Sequence, residues 1–231
     1  IHALIADYDY EICEIPQEEL DAFMKKKDFP AINVTIPYKE AVIPYLDTIS
    51  GEAAKIGAVN TIVNRDGKLY GYNTDFFGMT ALIKKSGIEL ENKKVAVLGS
   101  GGTSRTAFAV SESLGAKKTL RVSRTAKDGT IDYETLYRDH GDTEIIINTT
   151  PCGMYPKFGS PAADISKFPY LTGVIDAVYN PLRTELIIEA RKRGVKSAGG
   201  LYMLVAQGVR ASEIFLDKTY EYGICEKTYR K

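Results

Sequence analysis

The chain has no surplus of either charge: Lys and Arg total 30 and Asp and Glu total 30 over 231 residues. Without a net basic field a polyphosphate backbone is not attracted, so nucleic acid is a poor partner. No apolar run approaches the ~20 residues a membrane-spanning helix needs, so no membrane insertion is expected. Histidine is scarce. His2 and His140 are the only two, too few for a conventional zinc site without unusual partners, and each reads as a surface residue. Cysteine is also scarce. Cys13, Cys152 and Cys225 are odd in number and include no Cys-x-x-Cys pair, which suits reduced thiols in a cytosol. There is no internal repeat and no low-complexity tract. The chain opens at Ile1 with neither a methionine nor a signal-peptide pattern, so residues are expected to precede it. What remains is 44% hydrophobic and 26% charged, a globular composition long enough for two domains or one large one.

Two textures divide the chain. From about residue 90 to 200, short apolar runs alternate with helical spacing. "KKVAVLGS", "KTLRVSRT", "TEIIINTTP", "GVIDAVYNP" and "VKSAGG" read as strands; "GGTSRTAFAVSESLGA", ending at Gly115, "DYETLYRDHG" and "TELIIEARKRG" read as helices. Continuous Val/Ile/Leu strands separated by helices predict a parallel sheet covered on both faces. Residues 1–89 look different. "YDYEICEI" alternates like a strand, "QEELDAFMKKKD" reads as an amphipathic helix, "AINVTIP" as a strand and "KEAVIPYLD" as a short helix interrupted by Pro44. Two strands flank an Asp66-Gly67 turn, and a helix follows from Asp75 to Lys85. "LYMLVAQGVRASEIFLDK" is a long apolar-striped helix expected to return to the first unit. The expected fold class is therefore α/β with two domains. Residues 1–89 and 205–231 form a discontinuous, mixed α/β substrate-binding domain, and residues 90–204 form a Rossmann-like, doubly wound parallel-sheet domain.

The strongest local signal is "VAVLGSGGTSRTA". Gly99, Ser100, Gly101, Gly102, Thr103 and Ser104 leave a buried strand and open a helix. Absent side chains let backbone N–H groups approach a pyrophosphate, and the helix start adds partial positive charge. Ser104 replaces the third glycine of G-x-G-x-x-G, a mild departure because a small residue still permits close helix–strand contact. At the next strand's end, where an acid would accept from an NAD ribose, stand Ser123, Arg124 and Thr125. A guanidinium with two hydroxyls suits a 2′-phosphate, which predicts NADP, and Lys127 could add charge.

A hydride donor that reduces a ketone leaves an alkoxide to protonate, and the proton source belongs across a cleft from the cofactor. Three clusters in the first unit offer compact hydrogen-bonding side chains at strand ends: "NVTIPYK" (33–39), "GAVNT" (57–61) and "GYNTD" (71–75). Together with the glycine turn, "SRT", "NTTPCGMYP", "DAVYNP" and "GGLYMLVAQG", and in the same order, they resemble the shikimate dehydrogenase family over nearly the whole chain.

That resemblance implies an NADP-dependent oxidoreductase of aromatic amino acid biosynthesis acting on shikimate and 3-dehydroshikimate. It implies Lys39 and Asp75 as the catalytic pair, with Lys39 moving the proton. Thr35, Asn60, Asp75 and Gln207 would bond the substrate's hydroxyls or carboxylate, and Tyr179 would approach the carboxylate side. Thr149 and Thr150 would line the cofactor, with Ala177, Gly199 and Met203 by the nicotinamide. Ala177 departs from the family's usual Met. Family members also begin with a strand leading to a Ser-x-Ser pair that binds the substrate carboxylate. Ile1-His2 aligns just after it, so trimming is the expectation. Alternatives are a quinate/shikimate dehydrogenase, which differs by one substrate hydroxyl, or a nucleotide-sensing module of the same fold, for which Lys39 or Asp75 would be disrupted. "GYNTD" and "DAVYNP" argue against an amino-acid or folate-type dehydrogenase. No sequence feature decides between monomer and homodimer.

Overall fold

The computed structural model describes residues 1–127, 129–156, 158–221 and 223–230. In chain order its elements are α1 (His2–Ile5), α2 (Leu20–Lys26), β1 (Ala31–Asn33), β2 (Thr48–Ile49), α3 (Gly51–Ile56), β3 (Thr61–Arg65), β4 (Lys68–Tyr72) and α4 (Thr74–Ser86). There follow β5 (Lys94–Leu98), α5 (Gly102–Ser113), β6 (Lys118–Val122), α6 (Tyr133–Asp139), β7 (Ile145–Asn148), β8 (Gly173–Asp176), α7 (Glu185–Lys192), β9 (Lys196–Gly199), α8 (Leu201–Leu216) and α9 (Ile224–Tyr229).

The fold is α/β with two sheets. β5 to β9 form a parallel sheet of order β6-β5-β7-β8-β9. Its strands carry apolar residues on both faces because both faces are covered. Ala96, Leu98, Val122, Ile146 and Val174 pack under α6 and α7. Val95, Val97, Ile145, Ile147 and Ile175 pack under α4, α5 and α8. The smaller sheet, of order β1-β3-β4-β2, is antiparallel except for the β2–β4 pair. The Asp66-Gly67 turn joins β3 to β4 with φ of 52° and 79°, the left-handed pair that suits a tight hairpin. α8 packs along α4 and reaches α1 and β3. Gly78 makes this close approach possible: a Cβ there would lie 2.6 Å from the Met203 carbonyl oxygen.

Several local expectations change. Residues 8–15 alternate but form no strand. Alternation makes a strand only where a ladder partner is offered. Here the Tyr8 and Tyr10 rings pack against His2 instead, and Tyr8 also meets Phe215, while Ile12 is left 91% exposed. His2 and His140 are both half-buried rather than surface residues. His2 stacks on Tyr10 at 4.0 Å between ring centres, and His140 Nδ1 lies 3.0 Å from Lys94 Nζ. The strand beginning at Ala31 stops at Asn33, and the following segment is a turn plus a 3-10 turn at Ile43–Tyr45, not an α-helix. In a helix the Lys39 carbonyl would accept from the Ile43 N–H. It accepts from Val59 N at 2.8 Å instead, and Ile43 N turns to Glu40 O at 3.2 Å. Tertiary pairing thus overrides local propensity. The short helices α1, α3 and α9 carry no sequence expectation.

Candidate active site

Lys39 sits on that turn, held to the segment before β3 by its own carbonyl. Asp75 lies in the first turn of α4, where a carboxylate favours the positive end of the helix dipole. Asn73 caps the helix by accepting from Phe76 N at 3.2 Å and anchors it by donating to Ala58 O at 2.9 Å. These constraints bring Lys39 Nζ to 2.6 Å from Asp75 Oδ2, with only 14% and 9% of the side chains exposed. A charge-assisted bond of this kind, nearly desolvated, orients a proton donor far better than a surface pair would.

A buried polar network lies at the start of α4, next to Asp75 in the chain. Asn60 Oδ1 accepts from Thr74 N at 2.8 Å, from Thr61 Oγ1 at 3.1 Å and from Thr74 Oγ1 at 3.2 Å. Thr74 Oγ1 also lies 3.4 Å from Gln207 Oε1, which brings α8 to the network. Thr61, Asn73 and Thr74 lie within the recognised motifs but were not singled out as site residues. Their signal is small polar side chains immediately before or opening an element. Thr35 stands apart: it is exposed, and its carbonyl caps the turn by accepting from Tyr38 N at 2.9 Å. It lines a groove of about 710 Å³ along the outer edge of β1. A second cavity, of about 610 Å³, lies among α3, α5 and Arg121. Neither cavity includes Lys39 or Asp75, so chemistry rather than volume locates this site.

The glycine turn faces the pair. Gly99 has φ of +123°, and a Cβ there would meet Thr149 Oγ1 at 2.5 Å. Ser104, buried, donates to Gly99 O at 2.7 Å, closing the turn where the pattern has glycine. Gly101 caps α5 with no side-chain bond, so the helix's first N–H groups have no side chain to satisfy them and Ser100, Gly101 and Thr103 leave the turn open. A Cβ at Gly102 would lie 3.6 Å from Lys39 Cδ, ordinary contact distance, so the ammonium arm and the turn are neighbours. Sheet order adds to this. The chain passes from β5 out to β6 and returns to β7 on the other side, so the crevice beyond the carboxyl ends of β5 and β7 is a topological switch point. Gly99 and Thr149 border it.

The remaining predicted residues lie around that crevice. Ser123 Oγ donates to Thr125 O beyond β6. Arg124 is exposed, and among the described residues its guanidinium has no hydrogen bond or ion pair. An open glycine turn and, among the described residues, an unpaired Arg124 and no acid at the β6 tip fit a dinucleotide with a 2′-phosphate. Thr150 Oγ1 donates to Asn148 Oδ1 at 2.7 Å. Tyr179 is 45% exposed on the loop after β8. Ala177 touches the β9–α8 junction, where a Cβ on Gly200 would come within 2.1 Å of its carbonyl oxygen, and the Cβ position of Gly199 faces Leu182 O at 3.1 Å. Met203 is 7% exposed within the core between α4 and the parallel sheet. The structure thus pairs Lys39 with Asp75, joins Asn60 and Gln207 to Thr74 next to Asp75 in the chain, sets the turn against Lys39, and among the described residues leaves Thr35, Tyr179 and Arg124 without a side-chain hydrogen bond or ion pair. Among the described residues no group of three His, Cys, Asp or Glu could hold a metal. No described helix is long and apolar enough to cross a membrane.

Known proteins resemble this chain in sequence and fold. Residues 1–62 match the family described as "Shikimate dehydrogenase substrate binding domain". A Clostridium perfringens protein named Shikimate dehydrogenase (NADP(+)) is 42% identical over 208 residues, 84% of this chain and 77% of that protein. A chorismate mutase/shikimate 5-dehydrogenase fusion from Clostridium acetobutylicum superposes with a TM-score of 0.90 at 34% identity, over 99% of this chain and 89% of that one. Shikimate 5-dehydrogenase from Thermus thermophilus, solved with NADP(H) and shikimate, gives a TM-score of 0.80 at 30% identity, over 94% and 85%. With this identity along most of its length, and the order of motifs it carries, the chain belongs to the shikimate dehydrogenase family.

Proposed function

We propose that this protein is an NADP-dependent shikimate dehydrogenase, interconverting 3-dehydroshikimate plus NADPH and a proton with shikimate plus NADP⁺. The observation that carries the reading is the buried Lys39–Asp75 pair at 2.6 Å, set against the glycine turn at Gly102. Bound NADPH supplies the hydride. Lys39 Nζ gives a proton to the substrate oxygen as negative charge grows there, and takes it back in the reverse direction. Asp75 holds the ammonium in place. Thr35, Asn60, Tyr179 and Gln207 are assigned to the substrate's hydroxyls and carboxylate. A site built to bond several hydroxyls leaves its own polar groups unpaired when an analogue lacks one, which is the basis for rejecting it.

The glycine turn from Gly99 to Ser104, with Thr149 and Thr150, would hold the pyrophosphate side of the cofactor. Ser123, Arg124 and Thr125 would take the 2′-phosphate, and Ala177, Gly199 and Met203 the nicotinamide end. We assign residues 1–89 and 205–231 to the substrate domain, which the packing of α8 on α4 supports, and residues 90–204 to the cofactor domain. We assign the protein to the cytoplasm and to aromatic amino acid biosynthesis, a reading supported by the free Cys13, Cys152 and Cys225 and by the family's chemistry.

The test is shikimate oxidation with NADP⁺ by wild type and Lys39→Ala. The wild type should turn over, and the variant should lose turnover by ~10²-fold or more while still binding NADP⁺ in calorimetry. Near-normal turnover by Lys39→Ala would remove its proton-transfer role.

A further inference from the structure

Outside the Lys39–Asp75 pair, the chain buries a second carboxylate. Asp176 is 0% exposed. It ends β8 as register partner of Asn148, the last residue of β7. Asn148 Nδ2 donates to Asp176 Oδ1 at 2.9 Å and Val178 N to the same oxygen at 3.0 Å, while Thr184 Oγ1 donates to Oδ2 at 2.5 Å. Burial pushes the carboxyl above its ordinary range, and these three donors pull back. Removing a carboxylate from water is costly unless donors surround it, and an apolar side chain would fill this core without that cost.

The three donors come from three different segments. Asn148 carries the β7 tip, because its Oδ1 accepts from Thr150 N at 2.9 Å and from Thr150 Oγ1 at 2.7 Å. Val178 lies in the loop that leaves β8. Thr184 caps α7, where that loop ends. The 177–183 loop therefore departs from and returns to one carboxylate. From the other side Gly200 N donates to Val178 O at 3.0 Å, and the lack of a side chain at Gly200 lets the β9–α8 junction seat against Ala177.

We propose that Asp176, together with Asn148 and Thr184, is the positioning group of the reaction: one buried carboxylate sets the Thr149–Thr150 tip and the Ala177–Tyr179 loop at a fixed offset from each other. It acts through Thr150, Ala177 and Tyr179. The proposal rests on the functional reading above, which assigns those three residues to cofactor and substrate. Small errors in such an offset are expensive, since a misplacement of ~1 Å can lower turnover ~10²-fold.

The experiment compares wild type with Thr184→Val, Thr184→Ser and Asp176→Asn as full-length proteins. It reads kcat for shikimate oxidation well below each melting temperature, NADP⁺ affinity by calorimetry, and hydrogen exchange at the Val178 and Gly200 amides. Thr184→Val should lower kcat about tenfold or more and speed exchange at both amides. Its NADP⁺ affinity should stay within about threefold, because Asn148 still holds Thr150 and the glycine turn still takes the pyrophosphate. Thr184→Ser should restore both kcat and slow exchange. Unchanged kcat in Thr184→Val overturns the proposal, as does a loss that follows melting temperature and is not rescued by Ser. If Thr184→Val fails to fold, Asp176→Asn, which keeps the shape, carries the same expectations and the same refutation. If the wild type does not oxidise shikimate, the functional reading falls by itself. The exchange rates then decide the positioning role, and equal rates in wild type and variants overturn it.

Discussion

Replacing Gly99 by Ala tests the phosphate-binding turn at its tightest point. At φ of +123° the backbone lies where an L side chain is strained, at a cost of about 1–3 kcal/mol. The added methyl would also stand 2.5 Å from Thr149 Oγ1, closer than a carbon and an oxygen can approach. Thr149 does not move away freely, because its hydroxyl donates to Leu98 O at 2.6 Å, a bond worth ~1 kcal/mol. Together these predict a loss of about 2–4 kcal/mol. A double-mutant cycle in urea separates the two parts. Thr149→Ala alone should cost about 0.5–1 kcal/mol, since Leu98 O keeps the Thr149 N–H at 2.9 Å. Gly99→Ala combined with Thr149→Ala should be less destabilised than the sum by about 1 kcal/mol, because the clash is gone and only backbone strain remains. Costs that add within ~0.5 kcal/mol would refute the steric argument.

Two further outcomes are expected. Arg124→Ala should weaken NADP⁺ binding about tenfold and leave NAD⁺ binding unchanged, since one charge-assisted phosphate contact at an exposed site is worth ~1.4 kcal/mol; calorimetry with both dinucleotides checks this, and equal losses for the two would count against a 2′-phosphate contact. Burial among aromatic rings lowers the His2 pKa from 6.5 to about 4. Between those values the unfolded chain binds more protons than the folded one, so stability falls as pH drops through that window. His2→Phe should flatten the decline of melting temperature from pH 6.5 to about 4, and an unchanged slope would mean that His2 titrates normally.

How much was legible depends on how far apart in sequence the deciding contacts lie. β5, β7 and β8 are largely continuous apolar runs because both sheet faces are covered, and that signal is local. The Asp66-Gly67 hairpin and the Gly99–Ser104 turn are equally local, each a matter of a few dihedral angles. Residues 8–15 misled because alternation is necessary for a half-buried strand but does not supply a ladder partner. The helix expected after Pro37 failed for a similar reason: the Lys39 carbonyl is taken by Val59, twenty residues on. Asp176 opens the quoted "DAVYNP", but its role was not legible there. Two of its side-chain partners lie 28 positions before and 8 after it, and the β7–β8 register brings Asn148 to it. The same long-range contact that hid the Lys39 turn also gives it its chemistry. A lysine in a regular helix start would project into water. One whose carbonyl is tied to the segment before β3 is held beside Asp75, with its arm against Gly102. Val59 therefore helps set the proton donor's position through a backbone bond that no side-chain motif could reveal.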